Sequence, residues 1–249
     1  MSNYKLTVEY DGSCYHGYQI QGDLPTIQAC LESAISMLAG EPVRVIASGR
    51  TDTGVHALAQ VINFTSTKFS VPVERIPKAL NSVLPQDIRV LTAEVVPNDF
   101  HARFDAKKKK YFYQLYLARQ GTAFYRNYAW CIESELDVKA MYKAGKHLEG
   151  THDFAAFTAS GGSVSSTVRT IYNFNLIQEE RLVKLEFIGN GFLYKMVRNL
   201  VGTLVEVGMG RRKPESIKEL LDSRSRSLAG ITAPPQGLFL EQVWYEENT

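Results

Sequence analysis

The polar turn Gln178-Glu179-Glu180-Arg181 stands between two runs read as strands, near 168–177 and 182–188. So short a connection favours an antiparallel hairpin. Other strands are read near 4–10, 43–48, 59–65, 88–96, 110–118 and 238–245. Thr26 opens a helix whose apolar positions Ile27, Cys30, Leu31, Ala34, Ile35 and Leu38 recur at helical spacing, which assigns them to the core. A shorter helix is read near 74–83, with Pro77 in its first turn or at a break. A third runs from about 192 to 208, with Leu193, Met196, Val197, Leu200, Val201 and Leu204 on one face, and Pro214 opens a last short one. Strands mixed with helices, without strict βαβ alternation, predict an α+β fold with largely antiparallel sheet. The chain reads as two similar halves, residues 1–106 and 107–249. No Pro/Gly-rich linker marks the division at the lysine run 107–110, so a continuous strand bridging the halves is expected there.

Length and composition allow this reading. A chain of 249 residues can bury a sizeable core, as one large domain or two modest ones. Its 45% hydrophobic and 22% charged residues are those of an ordinary soluble globular protein. The first ten residues alternate polar and apolar like a strand and lack the apolar core of a signal peptide. The most apolar helical stretch is interrupted by Lys195 and Arg198, so no membrane span is expected. Cys14, Cys30 and Cys131 lie far apart, suggesting neither a disulfide framework nor a zinc cluster, and a reducing cytoplasm is the expected location. The net charge of +2 names no partner by itself. Its distribution does more. Arg103 and Lys107-Lys108-Lys109-Lys110 lead into Tyr111-Phe112-Tyr113, and Arg211-Arg212-Lys213 form a second cluster. Either run can be a solvated face. Cations for phosphates interleaved with flat rings for unstacked bases are also what contact with RNA requires.

The chemistry points to Ser48-Gly49-Arg50-Thr51-Asp52-Thr53-Gly54-Val55-His56-Ala57. A strand precedes this run, and Gly49 and Gly54 permit backbone angles that bring a loop close to a ligand. Asp52, set between Arg50 and His56, is the leading catalytic candidate. An acid here can equally fold an Asx-turn onto nearby amides.

The string Gly-Arg-Thr-Asp-x-Gly-Val-His-Ala resembles the active-site motif of the TruA family of tRNA pseudouridine synthases. Matching segments extend over almost the whole chain: Glu9-Tyr10-Asp11-Gly12 with Tyr15-His16-Gly17-Tyr18-Gln19, Asp99-Phe100-His101-Ala102-Arg103-Phe104, Lys110-Tyr111-Phe112-Tyr113, His152-Asp153-Phe154 with Arg169-Thr170-Ile171, Gly189 to Asn199, and Gly237-Leu238-Phe239-Leu240. The resemblance implies two α+β domains whose sheets join side by side, helices packed on the sheet, a catalytic cleft between the domains, and a homodimer. It implies isomerisation of uridine to pseudouridine at positions 38, 39 and 40 of the tRNA anticodon stem-loop. Asp52 is then the essential acid, Arg198 its partner cation, and Arg50 the residue that helps flip the nucleotide or holds its phosphate. Tyr111 packs on the target base and Leu238 lines the pocket, while Lys110, Arg169 and Lys195 join them as substrate-binding residues. An Asp–Arg contact near 4 Å carries roughly 4 kcal/mol of raw attraction at an effective dielectric of about 20, before desolvation.

On the helix read over 192–208, Lys195 falls opposite the apolar stripe and Arg198 on its flank. The implied reaction breaks an N-glycosidic bond and rejoins the base through its C5, so neither redox cofactor nor metal is expected. One carboxylate can attack the sugar carbon or remove a neighbouring sugar proton. Glycosidases usually divide such work between two carboxylates, and the motif holds one, which fits isomerisation better than hydrolysis. The five histidines form no His-Glu-x-x-His pattern, and His56 reads as a structural hydrogen-bonding residue of the loop. Gly189-Asn190-Gly191-Phe192 reads as opening a helix that could hold an anion, without a dinucleotide or P-loop fingerprint. Ser160-Gly161-Gly162-Ser163 with Ser165-Ser166-Thr167 reads as a mobile loop. Two other functions stay open: a noncatalytic RNA-binding module, which has no need of Asp52, and a nucleoside hydrolase, which would release free uracil.

Overall fold

In β1 (Ser2–Tyr10), Leu6, Val8 and Tyr10 are buried, while Lys5, Thr7 and Glu9 between them are partly exposed. This is the period of two expected where one sheet face is covered. The computed structural model describes residues 1–159, 161 and 165–246. The loop read at 160–163 therefore lies outside the described residues except for Gly161. Helix α1 (Ile27–Ala39) begins where Thr26 accepts the Ala29 amide at 3.4 Å, and it ends at Gly40 in the left-handed region. It buries Ile27, Leu31, Ala34 and Ile35, but Cys30 and Leu38 are only half-buried, contrary to the expectation that all six join the core. Glu32 is buried in their stead. Its oxygens accept from the Arg44 guanidinium at 2.7 Å, the Val45 amide at 3.1 Å and the Gln28 amide at 2.8 Å. A count of apolar positions passes over an acid whose burial is offset by hydrogen bonds to both oxygens.

The strand read over 43–48 contracts to β2 (Ile46–Ala47), followed by β3 (His56–Ser66). Helix α2 (Ile76–Asn81) follows a single 3-10 turn and carries Pro77 in its first turn, and β4 (Ile88–Val96) comes next. The chain forms two compact units, Met1–Lys107 with Phe239–Thr249, and Lys108–Leu238. In the first, β1 runs antiparallel between β4 and β3, and β2 pairs antiparallel with one stretch of β3. The chain's last strand, β10 (Leu238–Trp244), lies parallel to the start of β3, with Phe239 opposite His56 and Leu240 opposite Ala57. A single cut at 106/107 leaves residues 239–249 with the second half. Pairing of Phe239 and Leu240 with β3 brings this strand to the first, and no local signal in the sequence announces it.

The second unit holds β5 (Lys108–Leu117), β6 (Trp130–Ile132), α3 (Val138–Lys146), β7 (Gly150–Asp153), β8 (Val168–Glu179), β9 (Leu182–Gly189), α4 (Met196–Gly208) and α5 (Ser216–Ser223). Its strands follow the order β5-β9-β8-β7, all antiparallel, with β6 parallel to β5. The β8–β9 hairpin is the expected one: Glu179 faces Leu182, and Glu180 turns the chain in the left-handed region at φ 51°. Helix α3 is absent from the sequence reading. It is capped by Asp137, which accepts the Ala140 amide at 2.9 Å, and its buried stripe of Met141, Ala144 and Gly145 is too short and small-sided to stand out. With ten strands, mostly antiparallel, and five helices among the described residues, the chain is α+β.

Helix α4 corrects two expectations. It begins at Met196, not near 192, so Lys195 precedes it at φ 57° instead of lying on its polar face, and Gly189–Phe192 does not open it. It is also buried nearly all round, and Arg198 and Asn199 are inside with the aliphatic residues. A helix packed on every side accepts polar residues only where their groups find partners. Asn199 does so, donating to the Phe157 carbonyl at 2.8 Å and accepting from Arg226 at 3.1 Å and Thr232 at 2.6 Å. Among the described residues no helix is long and apolar enough to cross a membrane.

Two buried tyrosines of the first unit differ in one respect. The Tyr4 hydroxyl donates to the Phe69 carbonyl at 3.2 Å, whereas the Tyr18 hydroxyl, 3% exposed as a residue, has no partner among the described residues. Tyr4→Phe should cost about 1 kcal/mol in thermal unfolding and Tyr18→Phe less than about half of that. Equal losses would refute the distinction.

Candidate active site

The Asp52 loop leaves β2 and turns into β3, so rigid strands carry both of its ends. Its turn is closed by the main chain. The Val55 amide donates to the Asp52 carbonyl at 3.1 Å, and Gly54 takes φ 75°, the positive angle demanded of the third residue of a type II turn. Gly49 is not among the positive-φ glycines, so of the two expected special positions only Gly54 uses its freedom. Asp52 is half-buried and Arg50 exposed, while Thr51 and Val55 point inward.

His56 is 1% exposed, and its ring stacks on Phe239 at 4.6 Å between centroids. Its Nδ1 accepts the Gly12 amide at 3.1 Å, and Asp11 Oδ1 lies 3.1 Å from the same nitrogen. Both contacts converge on Nδ1 and fix the ring against the Gly12 turn. His56 thus ties the loop to the Gly12 turn and to β10, a structural duty.

The other expected site residues belong to the second unit. Arg198 Nε donates to the Ala233 carbonyl at 2.8 Å, and the Ala233 amide returns a bond to the Arg198 carbonyl at 3.1 Å. The expected flank position of Arg198 is therefore a buried one. Tyr111 on β5 is 8% exposed and meets Phe192 edge to face at 5.2 Å. Leu238, 7% exposed, follows the 3-10 turn Pro235–Gly237. Lys110 pairs with Glu186 at 2.8 Å, as Lys184 does at 2.9 Å. Burial works against the Glu186 carboxylate, but these two cations outweigh it and hold the group below the usual carboxylate range. Arg169 donates to the carbonyls of Ser166 and Val168 at 3.0 and 2.6 Å, beside Gly191, and burial draws its guanidinium below the usual range. Lys195 stands over the ring of Tyr194 at 5.1 Å.

Tyr113 is a residue that sequence reasoning overlooked. It is fully buried and donates to the Pro234 carbonyl at 2.7 Å. Burial pushes its phenol far above the usual range, and the nearby Arg198 charge acts in the opposite direction. Tyr113 and Arg198 thus hold adjacent carbonyls of the segment leading to Leu238. Alternation along β5 after Tyr111 was the signal that could have found it. Among the described residues, no three His, Cys, Asp or Glu side chains converge as a metal site requires.

The family model described as tRNA pseudouridine synthase matches residues 6–105 and 144–246, which together are most of the chain. The chain belongs to the tRNA pseudouridine synthase family. Similar members extend over the same length. A protein named tRNA pseudouridine synthase A from Thermoanaerobacter sp. (strain X514) is 49% identical over 246 residues, covering 98% of this chain and 100% of its own. Proteins of the same name are 46% identical over 245 residues in Acetivibrio thermocellus and 45% identical over 249 residues in Syntrophomonas wolfei. The former covers 98% of this chain and the latter 100%, each spanning the whole of its own length. Both segments matched by the family model carry expected site residues: Arg50 and Asp52 in the first, Arg169, Lys195, Arg198 and Leu238 in the second. Lys110 and Tyr111 fall between them.

Proposed function

We propose that this chain isomerises uridine to pseudouridine in tRNA, with Asp52 as its one catalytic carboxylate. The observation that carries the reading is the full-length similarity to proteins named tRNA pseudouridine synthase A, with Asp52 set in a turn that rigid strands support. The N1–C1′ bond breaks and the base turns while bound. A C5–C1′ bond then forms, the C5 proton is lost and N1 gains one, so mass is conserved. Asp52 either attacks C1′ or removes the neighbouring sugar proton. Arg198 supplies the cation that keeps Asp52 ionised. Arg50 assists extrusion of the nucleotide, a step costing a few kcal/mol. Tyr111 and Leu238 enclose the base, and Lys110, Arg169 and Lys195 contact the RNA. The substrate region is the anticodon stem-loop, the acting form a homodimer, and the location the cytoplasm.

Incubation with an unmodified tRNA transcript, followed by site-resolved detection of pseudouridine, tests the reading. Mass-neutral conversion is expected. Free uracil would instead identify a nucleoside hydrolase, and binding without conversion an RNA-binding module. A second measurement addresses the basic run. Each phosphate contact adds about 0.7 to 0.9 to the salt slope of binding. Neutralising Lys107–Lys110 should lower that slope by at least one such increment, and an unchanged slope would place the run away from the RNA.

A further inference from the structure

Thr51, the residue before Asp52, is gripped at both its side chain and its carbonyl. The Tyr18 amide donates to the Thr51 carbonyl at 3.0 Å. The Tyr10 and Thr51 hydroxyls lie 2.8 Å apart. Gln60 joins that pair to the loop. Its amide nitrogen donates to the Gly49 carbonyl at 2.8 Å and, at 3.4 Å, to the Tyr10 oxygen. The Gln60 side-chain oxygen in turn accepts from the Ser48 hydroxyl at 2.6 Å, and the Ser48 amide donates to the Val61 carbonyl at 2.8 Å.

The cluster is buried: Ser48 and Gln60 are 0% exposed, Tyr10 4% and Thr51 7%. Burial also pushes the Tyr10 phenol up to about 12, against the opposing hydrogen bonds with Thr51 and Gln60, so it stays protonated at neutral pH. Polar groups in a sheet interior cost free energy unless fully paired, and a fully paired set is rigid. Several of its bonds end on the segment 48–51. The Gly49 carbonyl, the Thr51 carbonyl and the Thr51 hydroxyl are all held, and the Val55 amide fixes the Asp52 carbonyl beyond them. Gly17 completes the grip at φ 86°, where a Cβ would stand 2.9 Å from the Thr51 carbonyl.

We infer that Tyr10 and Gln60, reaching from β1 and β3, are positioning residues that set the Asp52 carboxylate by clamping Gly49 and Thr51. The inference rests on the reading of Asp52 as the catalytic carboxylate. Misplacing a reacting group by a fraction of an ångström slows chemistry without weakening binding, since the contacts to the rest of the substrate persist.

Single-turnover pseudouridine formation on an unmodified tRNA transcript, with the tRNA Kd measured in parallel, tests it. Tyr10→Phe and Thr51→Val should each slow the rate about tenfold with Kd within about twofold of wild type. Thr51→Ser, which keeps the hydroxyl, should recover most of the rate. The Tyr10→Phe/Thr51→Val double variant should be no more than about twofold slower than the worse single, because both remove one bond. Tyr4→Phe removes a buried hydroxyl bond from the same strand away from the loop, and should turn over at the wild-type rate. Wild-type rates in both Tyr10→Phe and Thr51→Val would overturn the inference. So would a loss confined to Kd, or an equal slowing by Tyr4→Phe. If Tyr10→Phe does not fold, the contrast between Thr51→Val and Thr51→Ser decides. Failure of the underlying reading looks different: the wild type forms no pseudouridine, or Asp52→Asn retains full activity.

Discussion

Replacing Asp52 with asparagine should abolish pseudouridine formation, lowering the single-turnover rate by at least about a thousandfold, or about 4 kcal/mol in the barrier. The amide matches the carboxylate in size but can neither attack C1′ nor take a sugar proton. Asp52 is half-buried, and the turn around it is held through main-chain atoms at Gly49, Thr51 and Val55 that this substitution leaves in place. The variant should therefore melt within about 1 kcal/mol of wild type and bind tRNA with similar affinity. Binding without turnover is the expected signature. Unaltered product yield would remove Asp52 from the chemistry and return it to the role of a turn residue.

Arg198→Ala should slow turnover by about a hundred- to a thousandfold, the scale on which removal of one preorganised charge in an active site acts. Unlike the Asp52 variant, it should also lower the melting temperature. Arg198 is buried within α4, and the Ala233 carbonyl loses its 2.8 Å donor, a penalty of about 1–3 kcal/mol. Arg198→Lys separates charge from shape. Lysine keeps the charge but not the planar fork, so it should restore part of the rate and little of the stability. Turnover of Arg198→Ala at the wild-type rate, in protein shown to be folded, would withdraw the proposed cation.

Local signals made much of this molecule legible in advance. Thr26 does cap α1, Pro77 does lie in the first turn of α2, and the polar segment 178–181 does join antiparallel strands, although its turn narrows to Glu180-Arg181. Each depends on neighbours a few residues apart. Burial of Glu32 and Arg198 was not legible, because a polar residue inside a protein is licensed by distant partners: Val45 and Arg44 for the first, the Ala233 carbonyl for the second. For the same reason the loop motif pointed to Asp52 but not to its clamp. Tyr10, Thr51 and Gln60 lie on three separate segments, and only pairing of β1 with β3 makes them neighbours.

The return of β10 to β3 bears on how the chain matures during synthesis. Phe239 pairs with His56 only after the whole second unit, Lys108–Leu238, has been made, so most of the first unit emerges early yet stays one strand short until then. Until then the beginning of β3 exposes an unfilled edge and His56 lacks its stacking partner. Pairings between such distant segments form slowly. Strand β10 thus acts as a clasp, and the loop carrying Asp52 acquires its full support only when that clasp closes.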